Sequence, residues 1–117
     1  MKFTKDQGSE VTIRQIENNR IKIGNNFIDY SCIVTSDEIL GEWGNKNVDV
    51  TTYNDLEFIL KKKPDILIFG TGEKAVLPNR NLVFDLAKKN IGLEVMTTAA
   101  ACRTFNILIS EDRSPIA

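Results

Sequence analysis

The run Ile66-Leu67-Ile68-Phe69 constrains the fold of this chain more than any other feature. It opens two residues after Pro64, carries no polar alternation, and ends on Gly70. A run this short is a strand, and a strand without a polar side is covered on both faces. Leu93-Glu94-Val95-Met96 reads as a second short buried strand. Between them, residues 79–90 place Leu82, Val83, Leu86 and Ala87 on one helical face, with Gly92 as terminator. Strand, helix, strand at this spacing calls for parallel pairing through a right-handed crossover. Residues 99–110 follow as a last helix, capped by Thr97 and Thr98.

Upstream the pattern changes. Val11-Thr12-Ile13-Arg14-Gln15-Ile16 and Ile21-Lys22-Ile23 read as strands, joined by a polar turn at Glu17-Asn18-Asn19-Arg20, with Gly24-Asn25 as a second turn. Ile28, Tyr30, Cys32 and Val34 then alternate with Asp29, Ser31 and Thr35, the period of a half-buried strand. Phe27 and Ile33 interrupt the polar side, so that side is partly covered too. Residues 54–63, NDLEFILKKK, read as a short helix capped by Asn54 and stopped by Pro64. Its lysines sit where the helix dipole favours cations, which makes the run a solvated helix end. The expected fold class is α/β. Residues 1–117 form a single layered domain, with a mixed sheet, antiparallel N-terminal strands and a parallel β-α-β C-terminal half.

Histidine is absent from all 117 residues, which excludes Ser-His-Asp and Cys-His nucleophilic machinery and imidazole metal ligands. The two cysteines, Cys32 and Cys102, form no CxxC pair and point to a reducing compartment rather than a disulfide framework. Fifteen basic residues against sixteen acidic ones give a net charge of −1, and Lys61-Lys62-Lys63 is the single basic cluster. That balance argues against a dedicated nucleic-acid binder. No apolar run approaches the roughly 20 residues of a membrane span, and the first ten residues lack a signal or transit pattern. A cytoplasmic protein without membrane insertion is expected. No catalytic residue, metal ligand or cofactor is nominated.

Gly70-Thr71-Gly72-Glu73-Lys74-Ala75 fits the formal dinucleotide fingerprint after a strand. The physics of that motif requires the helix to begin at the second glycine, so that free N–H groups face a pyrophosphate. Pro78 lies six residues past Gly72 and suits a first helical turn, so the glycines precede the helix. This is not a dinucleotide loop. Two readings of it stay open. The glycines permit a tight turn and the threonines cap a helix. Alternatively, Gly70, Thr71, Gly72, Thr97 and Thr98, with Arg103 and Asn106 of the last helix, line a small cleft for an anionic ligand beyond the strand ends. Arg103, Asn106 and Ser110 form a polar stripe that lines such a cleft, meets a partner, or faces solvent. Cys102 reads as a core residue, since no basic partner lowers its pKa.

The sequence FGTG at residues 69–72, the proline-led helix and GLEVMTTAAACRTFNILISEDR at residues 92–113 together resemble a small domain family of unknown biochemical activity. Its eukaryotic relatives include a mitochondrial assembly factor for respiratory complex I (NADH:ubiquinone oxidoreductase) and an adipogenesis-associated protein. The resemblance covers nearly all of the chain. It implies a compact layered α/β domain and, for the mitochondrial relative, assembly of a membrane complex through protein contacts. It carries onto Gly70, Thr71, Gly72, Met96, Thr97, Ala100, Arg103 and Asn106. Two departures stand out: Asp112 replaces a glycine after the last helix, and the apolar final strand is reduced to Ser114-Pro115-Ile116-Ala117. The expected function is a non-catalytic binding or assembly protein with a protein partner. Trp43, Phe58 and Phe84 are its candidate contacts, because aromatics dominate interface energies. The alternative is an anionic-ligand-binding protein or enzyme at the glycine-loop cleft.

Overall fold

Strand β6 (Ile66–Gly70) lies in the middle of a three-stranded parallel sheet, between β7 (Gly92–Met96) and β8 (Pro115–Ile116), in a computed structural model describing residues 12–17, 20–44 and 47–117. The first eleven residues, among them Val11 of the expected first strand, and the centre of the turn expected at residues 17–20 fall outside the described residues. Successive strand side chains point to opposite faces, so the apolar run supplies two cores at once. Leu67 packs with Leu56, Ile59, Leu82 and Leu86, while Ile68 packs with Ala101, Cys102, Phe105 and Leu108. Helices α1 (Tyr53–Leu60) and α2 (Arg80–Ala87) therefore cover one face of the sheet, and α3 (Thr98–Ser110) covers the other.

The antiparallel half is a meander of β1 (Ile13–Glu17), β2 (Arg20–Ile23) and β3 (Asn26–Ile28). Gly24, at φ 58°, takes the first position of the two-residue turn between β2 and β3. Ile13, Ile23 and Ile28 close over α3 in the same core as Ile68.

The single strand expected across residues 28–34 is instead two. β3 stops at Ile28, Tyr30 is exposed, and β4 (Cys32–Val34) starts a separate hairpin with β5 (Ile39–Glu42). Ile33 and Val34 are both buried, one in each core, so neither face of β4 is polar. Period-two reasoning fails where a strand enters a two-sided environment. β5 escaped the sequence reading altogether. It is short, pairs across a register shift at Ile33/Val34, and contains Gly41 at φ 135°.

The final strand does pair. Pro115, with no N–H to donate, opens β8 opposite Ile66, and Ile116 pairs with Leu67. Ala117 then exchanges both backbone hydrogen bonds with Val34, at 2.8 and 3.0 Å, joining β4 to the parallel sheet.

Helix ends also differ from expectation. Thr52, not Asn54, caps α1, and its N–H donates to Asp55 Oδ2 at 2.9 Å. α1 stops at Leu60, so the lysines lie past its end, exposed, with Lys62 3.5 Å from Glu38. Asn79 caps α2 by accepting the Asn81 N–H at 3.0 Å. α2 buries only the Leu82–Leu86 row, leaving Val83 and Ala87 exposed. Asn90, at φ 62°, reverses the chain, and Gly92 opens β7 instead of ending the helix. After α3, Asp112 takes φ 62° and the Arg113 N–H reaches Leu108 O at 2.9 Å, a left-handed helix stop on a non-glycine residue.

Ile116 is 4% exposed and seats β8 against α1 and α2. Ile116→Ala is expected to cost about 2–4 kcal/mol, read from the urea midpoint at unchanged slope.

Candidate functional site

The glycine loop follows β6 directly, and α3 begins beside it at the end of β7. Their polar groups are spent on each other. Thr71 N–H donates to Met96 O at 2.9 Å, and the Thr71 hydroxyl donates to Lys74 O at 2.6 Å. Gly72 N–H donates to Thr98 Oγ1 at 2.8 Å, while Thr98 N–H returns a bond to Gly72 O at 2.9 Å. Thr97 Oγ1 accepts from the Ala100 N–H at 3.4 Å. A side chain on Gly70 would place its Cβ 3.1 Å from the Thr98 Cα, so glycine is what lets the loop nest against the helix. Gly72 turns at φ 89°. Two loop N–H groups and two at the helix start thus have internal acceptors, which withdraws donors that an anion would need.

Gly70, Thr71, Gly72, Thr97 and Thr98 do converge, on the rim of a cleft of about 960 Å³ between the parallel sheet and the β4–β5 hairpin. Its walls are mostly apolar and include Ile33, Leu67, Ile68, Phe69 and Trp43. Trp43 meets Phe69 edge to face at 6.0 Å and 89°. Sequence reasoning nominated the rim and missed these walls, because they come from strands far apart in the chain.

Arg103 and Asn106 stand apart from that rim. Arg103 is exposed on α3. Asn106 clamps β1: its Nδ2 donates to Ile13 O at 2.7 Å, and its Oδ1 accepts the Ile13 N–H at 2.9 Å. Cys32 and Cys102 are both free. Burial pushes the Cys102 thiol up to about 11, Cys32 nearby pushes the same way, and Arg103 pulls weakly against them. Burial raises Cys32 as well. Both thiols are therefore protonated near neutral pH and poor nucleophiles. Among the described residues no group of three or more acidic or cysteine side chains is placed to hold a metal.

The three candidate partner contacts separate. Phe58 on α1 and Phe84 on α2 are 55% and 60% exposed, on helices that pack side by side. Trp43 is half-buried against the α1–α2 core and belongs to the cleft wall.

A family described as a protein of unknown function (DUF498/DUF598) matches residues 13–117, and the chain belongs to it. The chain is 31% identical over 88 residues to the 13 kDa major membrane protein of Francisella tularensis subsp. holarctica (strain LVS), covering 74% of this chain and 71% of that one. It is 31% identical over 93 residues to NADH dehydrogenase (ubiquinone) 1 alpha subcomplex assembly factor 3 of Danio rerio, covering 78% of this chain. It spans 53%, about half, of that assembly factor's length. The solution structure of a Xanthomonas campestris protein superimposes with a TM-score of 0.79 at 29% identity, covering 89% of this chain and 79% of that one. Among the described residues no helix is long and apolar enough to cross a membrane.

Two outcomes follow from this geometry. Asn106→Ala leaves both backbone groups of Ile13 without their partner, and is expected to cost about 1–3 kcal/mol in urea unfolding with faster hydrogen exchange at the β1 amides. A thiol whose folded pKa of about 11 lies above its ordinary 9.0 contributes stability that is complete below pH 9 and lost as pH rises towards 11. The stability difference between wild type and Cys102→Ala should accordingly shrink over that window, as measured by urea midpoints from pH 8 to 11.

Proposed function

We propose that this protein is a non-catalytic binding and assembly protein that engages a protein partner through the outer face of α1 and α2. The observation that carries the reading is the relationship to proteins named as assembly factors of an NADH dehydrogenase subcomplex. On that basis the work proposed for this chain is to assist the building of a respiratory complex. The partner surface follows from exposure. Phe58 and Phe84 leave more than half of their area in solvent on adjacent helices, and Val83 on α2 is exposed as well. Aromatic side chains presented in this way are the anchors of protein interfaces. The reading keeps the cytoplasmic setting expected from the sequence, in keeping with two free thiols.

Capture of the tagged protein from its own cells under mild cross-linking tests this. The wild type is expected to recover subunits or assembly partners of a respiratory complex. Phe58→Ser combined with Phe84→Ser should lower recovery on the order of 100-fold, the loss expected of two interface anchors. Exposed substitutions change stability by only about 0.5 kcal/mol each, so the melting temperature should barely move. Equal recovery by wild type and variant would remove the α1–α2 face from the proposal.

A further inference from the structure

We propose that the cleft between β6 and the β4–β5 hairpin binds an uncharged, mostly apolar small molecule with a flat ring system, at a site separate from the α1–α2 face. At about 960 Å³ the cleft is at the upper end of the roughly 300–1,000 Å³ typical of small-molecule sites. Its lining includes the buried apolar side chains of Ile33, Ile68 and Cys102, each no more than 5% exposed. Phe69 and Trp43 set an aromatic pair into the wall, edge to face. Ring faces and edges held like this favour a flat ring laid against them.

Charge selects the ligand further. The lining thiols of Cys32 and Cys102 are neutral, and burial disfavours any charge beside them. Among the described residues the charged side chains on the lining are Arg20, Asp29 and Glu73, and Arg20 already lies 4.0 Å over the Phe27 ring. The rim N–H groups are already engaged: that of Thr71 with Met96 O, and those of Gly72 and Thr98 with each other's residue. An anion finds no free cradle there. An uncharged ring finds apolar walls, and a polar substituent can face the rim hydroxyls of Ser31 and Thr97.

Trp43 is the only tryptophan in the chain and sits in the cleft wall, so it reports directly on occupancy. Titration with the neutral probe N-phenyl-1-naphthylamine is expected to quench Trp43 by energy transfer and saturate at one probe per chain. Its sulfonated counterpart, 1-anilinonaphthalene-8-sulfonate, should bind about tenfold more weakly, since a charge must enter a mostly apolar cleft. Ser31→Phe and Ala99→Phe, both on the lining, should each weaken the neutral probe about fivefold or more. Phe58→Ser with Phe84→Ser should leave probe binding unchanged, which separates this site from the partner face. Unsaturable binding, or equal affinity for the sulfonated probe, would overturn the proposal. So would probe binding that survives both filling substitutions and is lost in the Phe58/Phe84 variant. If both filling variants fail to unfold cooperatively, saturation at Trp43 and the Phe58/Phe84 comparison decide the matter.

Discussion

Burial of β6 on both faces is the constraint from which the rest of the structure takes its positions. A strand with Leu67 aimed at one side and Ile68 at the other must be roofed twice. Two eight-residue helices supply one roof and a thirteen-residue helix supplies the other. Helices of eight residues are not stable by themselves, so α1 and α2 exist because Leu56, Ile59, Leu82 and Leu86 have Leu67, Ile116 and Ile33 to pack on. The antiparallel meander is bound to the same arrangement through α3, which presents Phe105 to Ile68 and Asn106 to the backbone of β1.

The carboxyl ends of β6 and β7 are where an open α/β sheet ordinarily offers a ligand its place. Here the N–H donors at that place are taken up by reciprocal hydrogen bonds between Gly72 and Thr98. What the fold leaves available is different in kind: a mostly apolar cleft beside β6, and exposed Phe58 and Phe84 on two adjacent helices. Neither depends on a titrating side chain, in keeping with a chain without histidine whose thiols are held neutral.

Legibility in the sequence followed the range of the interaction. β6, β7, α3 and the placement of the glycines before a helix were readable, because an unbroken apolar run, a capping threonine and a proline act within a few residues. Capping of α1 was misassigned by two positions, since Asn54 is intrinsically the better cap and the Asp55 carboxylate, which accepts the Thr52 N–H, favours Thr52. The division of residues 28–34 between two sheets was not readable, because the environment that buries both Ile33 and Val34 is assembled from elsewhere. Asn106 looked like a surface or cleft residue for the same reason. Its partner, Ile13, is 93 residues away.

By itself, then, the sequence determined a parallel β-α-β unit around one two-faced strand, helices in their order, and the exclusion of histidine-based chemistry, all consequences of local sterics, periodicity and composition. Tertiary structure alone decided that Ala117 closes onto Val34, that the loop and α3 consume one another's donors, and that Trp43 turns inward while Phe58 and Phe84 remain outside. The reason is physical. Periodicity says which side chains share a face, but which faces are covered depends on how separate elements pack, and exposure is a property of the packed whole.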